Sequence, residues 1–149
     1  MNDLIMALND VFATNFVVYT QAHIAHLNVQ GRNFYSDHKL LEKVYEFLQS
    51  DIDTIGEKIR SVRSFAPDSI ANIIGHSSVS DYPVLGSALG FLEQIDDGLE
   101  NLITDYKRLY ESAESVEYID ISNFAQDQIG QLARLRWMLE ATLNEGTEE

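Results

Sequence analysis

The sequence predicts an all-α chain: a four-helix bundle whose second and third long helices are joined by a crossover connection. Three observations carry that expectation. Four long segments place apolar residues three and four apart, the spacing that lines one face of a helix. Only a few residues around Gly31 and Asn33 separate the first two segments. Roughly 20 residues separate the second from the third, against the 2 to 8 usual between neighbouring bundle helices, and both prolines, Pro67 and Pro83, fall there.

The first helix is expected over residues 3 to 29, with Ile5, Leu8, Phe12, Phe16, Tyr19, His23 and His26 along one stripe. Gly31 and Asn33 end it and open the second, from about Tyr35 to Ser64, and so short a connection makes the two antiparallel neighbours. A small amphipathic helix at residues 68 to 74 is expected inside the crossover, which is long enough to carry the chain from one end of the bundle to the other. The third long helix covers about Ser87 to Ser112, with a seam of Leu89, Leu92, Leu99, Leu102, Tyr106 and Leu109. The fourth covers about Ile119 to Asn144, with Phe124, Leu132, Leu135, Leu139 and Leu143 inward and Gly146 closing it. Glu111, Glu114, Glu117 and Asp120 between these two read as a solvated acidic turn.

The second helix carries the chemistry. Setting His38 at 0° and advancing about 100° per residue puts Glu42 near 40°, Asp53 near 60° and Glu57 near 100°, one polar stripe about 100° wide. The apolar seam of the same helix, Leu41, Tyr45, Leu48, Ile52, Ile55, Ile59 and Val62, centres about 120° away. At about 1.5 Å per residue, Glu42 and Asp53 lie roughly 16 Å apart and His38 and Glu57 nearly 30 Å apart, too far for one metal centre. Yet the two pairs share a midpoint between residues 47 and 48. Two copies crossing antiparallel about a two-fold axis near Phe47 and Leu48 would bring His38 to the other copy's position 57 and Glu42 to its position 53, making two identical sites. Gly56, at about 0°, is expected to let the helices approach.

His26 lies about one turn before the Gly31 break and His38 about one turn after it, so a helical hairpin sets them level. The candidate site is therefore His26, His38 and Glu42 of one copy with Asp53 and Glu57 of another. Imidazole and carboxylate without sulfur suit iron(II), manganese or zinc. His23, also on the apolar stripe, is expected to be a satisfied packing residue. The chain has no Glu-x-x-His pair, and its last two long helices carry no histidine, which argues against a di-iron site inside one bundle.

The 149 residues make one domain of residues 1–149, and with no cysteine there is neither a disulfide framework nor a thiolate site. With 24 acidic against 10 basic residues the net charge is −14, which repels DNA and anionic membrane and favours cations. No apolar run approaches a membrane span, no signal peptide pattern opens the chain, and neither Met1-Asn2-Asp3 nor Thr147-Glu148-Glu149 is a basic tail. A cytoplasmic protein is expected, with DNA binding disfavoured.

The run His26-Leu-Asn-Val-Gln-Gly31, with Asn33-Phe34, His38, Tyr45, Asp53 and Glu57, resembles the Dps-like mini-ferritins of the ferritin-like superfamily. The resemblance is clearest over residues 16 to 67 and continues more weakly through Asp105-Tyr106-Lys107 and Trp137-Met138-Leu139. It implies a ferritin-like bundle assembled from two-fold dimers into a hollow dodecamer. It also implies oxidation of iron(II) by hydrogen peroxide or oxygen at intersubunit sites, with the ferric mineral stored inside. The family's ligands map onto His26, His38, Glu42, Asp53 and Glu57, with Glu at position 42 where Asp is usual. Glu114, Glu117 and Asp120 lie near where the family lines its entry pores. The alternative is a non-catalytic metal-binding or DNA-protecting cage.

Overall fold

All four long helices form, with the short one between them, in a computed structural model that describes residues 1–84 and 86–144. They are α1 (Asn2–Asn28), α2 (Phe34–Ser61), α3 (Ile70–His76), α4 (Ala88–Ser115) and α5 (Ile119–Leu143). Gly146, expected to close the last helix, lies outside the described residues.

Local chemistry sets the boundaries. Gly31 adopts φ +118°, which a side chain would resist, and its carbonyl accepts from the Phe34 N–H at 3.1 Å as α2 begins. The second helix stops three residues short of the expected Ser64. Arg63 turns left-handed at φ +70°, and the Ser64 N–H reaches back to the Ile59 carbonyl at 3.2 Å. Ser69 and Ser87 cap α3 and α4 by accepting from the N–H groups of Asn72 and Gly90. The acidic turn after α4 closes through Glu117 at φ +60°, with Glu111, Glu114, Glu117 and Asp120 all exposed.

The core is where the four long helices meet: Leu4, Leu8, Val11 and Val18; Leu41, Val44, Leu48, Ile55 and Ile59; Leu92, Leu99, Leu102, Tyr106 and Leu109; Leu132, Leu135 and Leu139. Three expectations need correction. On α1 the deepest residues are Leu4, Leu8, Val11, Val18, Ala22 and Ala25, while Ile5, Phe16, Tyr19 and His23 are only half-buried. The reason is that α1 packs against α2, α3 and α4 together, so it buries more than one face and no single stripe describes it. On α2, Val44 and Asp51 are buried where Tyr45 and Ile52 stay partly exposed. On α4, Leu89 is exposed, one residue into the helix and beyond the reach of its neighbours.

Val18 faces Gly98 and Thr14 faces Asp105, so α4 runs antiparallel to α1 and hence parallel to α2; the long connection is a crossover. A Cβ on Gly98 would lie 3.1 Å from the Val18 methyls, so the close approach of α1 and α4 depends on glycine there. The crossover is tied down by polar contacts that centre on the buried Asp105 carboxylate and on Gln21. The Thr14 and Ser78 hydroxyls both donate to Asp105, at 2.6 and 2.8 Å, Arg108 pairs with the same carboxylate, and Gln21 donates to the Ser80 carbonyl at 3.0 Å. No described helix is long and apolar enough to cross a membrane.

Candidate metal centre

The hairpin of α1 and α2 stacks the His26 and His38 rings with centroids 3.7 Å apart and planes 18° apart. Each ring is locked by the other's backbone. His26 Nδ1 lies 2.8 Å from the His38 carbonyl oxygen, and His38 Nδ1 lies 2.7 Å from the His26 carbonyl oxygen. A carbonyl can only accept, so each Nδ1 carries the hydrogen, and in the neutral ring the lone pair sits on Nε2. That is how proteins orient metal-binding imidazoles: one ring nitrogen donates to a fixed acceptor and the other is free for the ion.

Aromatic rings surround the pair. Phe34 stacks on His38 at 4.9 Å and Tyr45 meets His26 edge-on at 5.0 Å. His23 lies flat on Tyr45 at 4.0 Å, and its Nδ1 is 3.0 Å from the Tyr19 hydroxyl, so it has partners on both sides as the sequence suggested. The Tyr45 phenol is held above its usual range, first by burial and then by the charges of Glu42 and Glu46.

Glu42 stands one turn beyond His38, half-buried, with Lys39 Nζ at 3.3 Å. Asp53 and Glu57 continue the stripe along α2 and are both exposed. Thus the structure brings His26 and His38 together, keeps Glu42 one turn along α2 from His38 and paired with Lys39, and leaves the other two carboxylates farther down the same helix. Among the described residues no three His, Asp or Glu side chains converge within one chain.

Two expectations about the crossing point change. Leu48 is fully buried in the chain's own core, leaving half-buried Phe47 at the surface near the midpoint. Gly56 faces α1, where a Cβ would meet the Phe12 ring at 3.5 Å, so it does not serve approach by a second copy. Leu48 belongs to the apolar seam of α2, at about 280°, whereas Gly56 lies at the 0° edge of the stripe, where α2 packs on α1. The mutual carbonyl bonds escaped the sequence reading because backbone acceptors leave no residue-type signal. Tyr19 gave only an apolar-stripe signal.

The ferritin family model, a ferritin-like domain, matches residues 5–148. The DNA protection during starvation protein of Helicobacter pylori is 26% identical over 137 residues, covering 91% of this chain and 95% of its own length. The DNA protection during starvation protein 2 of Bacillus anthracis is 26% identical over 142 residues, covering 95% and 97%. Among solved structures, the Dps protein of Vibrio cholerae, described as a member of a broad superfamily of ferritin-like diiron-carboxylate proteins, superposes with a TM-score of 0.90 at 25% identity. That match covers 95% of this chain and 89% of the other. Dps from Thermosynechococcus elongatus reaches a TM-score of 0.93 at 18% identity over 98% and 93%, which speaks to the fold. With the helical order, the crossover and these matches in agreement, the chain belongs to the ferritin-like family, as a Dps-like mini-ferritin.

Proposed function

We propose that this protein oxidises iron(II), with hydrogen peroxide or oxygen as acceptor, at sites shared by two-fold-related copies and stores the ferric product inside a hollow shell. The observation that carries the reading is the locked imidazole pair: His26 and His38 each give Nδ1 to the other's carbonyl, which keeps Nε2 for a metal. Glu42 adds a carboxylate from the next turn. Asp53 and Glu57, exposed on the same stripe and as far beyond its midpoint as Glu42 and His38 lie before it, supply the other half from a second copy lying antiparallel. Two imidazoles and three carboxylates suit iron(II), here the substrate, which the oxidant turns into iron(III) while the protein supplies geometry and charge. A dodecameric shell and cytoplasmic residence belong to the same reading, and an acidic inner surface would nucleate ferric oxide.

A cage that protects DNA, or holds metal without turnover, is the second reading. The names of the Helicobacter and Bacillus relatives favour the first form of it, and the net charge of −14 opposes direct contact with phosphate. Iron(II) addition followed by near-ultraviolet absorbance separates them. Ferroxidation predicts rapid appearance of iron(III) that collapses in a double His38→Ala, Asp53→Ala variant. An unchanged rate in that variant would refute the site, and bound metal with no oxidation would favour the inert cage.

A further inference from the structure

We propose that Lys39 is a displaceable counter-ion for the metal centre: its ammonium holds Glu42 while the site is empty, gives way to iron(II), and so sets how much iron(II) is needed to load the site. This deepens the function proposed above and rests on it. Three observations carry it. Lys39 Nζ lies 3.3 Å from Glu42 Oε1, so the carboxylate offered to the ion already has a cation against it. Among the described residues Glu42 is the one candidate carboxylate with a Lys, Arg or His nitrogen in ion-pair range, while Asp53 and Glu57 have none. The ammonium also has a second seat. It lies 5.8 Å from the centre of the Tyr35 ring, within reach of cation–π attraction, and the Glu46 carboxylate one turn beyond Glu42 attracts it as well.

Helix stability does not account for this pair. The cation stands nearer the N-terminal end of α2 than its carboxylate, the poorer way round for a helix, and an exposed pair three residues apart contributes little to folding. The Lys39 side chain is 52% exposed and that of Glu42 30%, so the lysine is free to swing while the glutamate stays.

Charge accounts for it better. In the proposed pair of copies each site gathers Glu42 with the other copy's carboxylates at positions 53 and 57, three negative groups that repel one another when no metal is bound. Lys39 places one positive charge at that point. Iron(II) brings two, and it bonds imidazole as well as carboxylate, so the ion prevails at Glu42 and the ammonium moves toward Tyr35 and Glu46. A cation already seated on a ligand raises the metal concentration needed to fill the site and leaves the filled site as it was. The effect therefore falls on loading, not on the rate at saturation. For an exposed ion pair its size is about two- to fivefold.

Two titrations test this. Cobalt(II) added to metal-free protein without oxidant reports loading alone, through its visible absorption, and iron(II) with peroxide reports loading and turnover together. Lys39→Met keeps most of the side chain and removes its charge. It should lower the half-saturating concentration of both metals by about two- to fivefold and leave the maximal oxidation rate and the melting temperature unchanged. Lys39→Arg, which keeps the charge, should stay near wild type. An unchanged half-saturation in Lys39→Met, beside a wild type that binds cobalt(II) and oxidises iron(II), would overturn the counter-ion role and leave the proposed function standing. A lower maximal rate at unchanged half-saturation would overturn it too. A wild type that neither binds cobalt(II) nor oxidises iron(II) would overturn the proposed function, and the role of Lys39 with it.

Discussion

The two ends of the α2 stripe are built to different standards. At one end His26 and His38 are stacked, locked by mutual backbone hydrogen bonds and walled by Phe34 and Tyr45. At the other, Asp53 and Glu57 stand exposed on the helix surface. The difference teaches that one chain can pre-organise the imidazoles, because a hairpin brings two helices level there. Among the described residues Asp53 and Glu57 are left uncovered, and the proposed function completes that end with another copy. Ordering imidazoles in advance lowers the entropic cost of binding an ion, and leaving carboxylates in water avoids burying uncompensated charge.

The sharpest way to break that contrast is to disarm each end separately. His26→Ala should lower iron(II) oxidation by roughly tenfold to a hundredfold and also loosen the α1–α2 hairpin, because the ring packing and the Nδ1–H bond to the His38 carbonyl are lost together. Replacing Asp53 by Asn and Glu57 by Gln should reduce oxidation comparably yet change melting of the chain by less than about 0.5 kcal/mol, since both are exposed. Stopped-flow absorbance and thermal melting read the two effects. Equal stability losses at both ends would contradict the asymmetry.

A second intervention acts at the midpoint. Phe47→Asp puts a charge at the half-buried position nearest the proposed two-fold axis and should shift the protein toward monomer in sedimentation, with oxidation lost though all five ligands remain.

Smaller effects belong to side chains that face the bundle interior rather than the stripe, and serve as controls. Burial raises the Asp51 carboxyl to about 6 from 3.8, and its Oδ2 has no hydrogen-bond partner. The folded chain therefore binds the proton more tightly than the unfolded one, so stability falls as pH rises from about 4 to about 6 and stays lower above. Asp51→Asn should stabilise the protein at pH 7 by about 2 kcal/mol, less than the full shift implies because the carboxyl keeps some hydration, and should change little at pH 4. Denaturant melts at the two pH values check this. Gly98→Ala should cost about 1 kcal/mol, because Val18 must give way by a few tenths of an ångström. Neither change should touch iron oxidation.

Much of this was legible in the sequence because helices obey a fixed period. The spacing of Leu41, Leu48, Ile55 and Ile59, the brevity of the Gly31 turn and the length of the crossover determine the layout that forms. The level pairing of His26 and His38 followed from counting turns on either side of Gly31. What stayed hidden was set by neighbours. The deep face of α1 depends on three packing partners, and the end of α2 on a left-handed Arg63 that no residue-type rule demands. Gly56 has the right angle for the stripe, but only the position of Phe12 reveals which helix it faces.

The central claim, that each site takes its halves from two chains, is met most directly by complementation. His38→Ala and Asp53→Ala chains, each inactive alone, are co-expressed and the mixed assembly is assayed for iron(II) oxidation. Random pairing makes half the dimers mixed, and each mixed dimer has one intact site of two, so about a quarter of wild-type activity should return. A mixture no more active than its parents, beside an active wild type, would contradict the account.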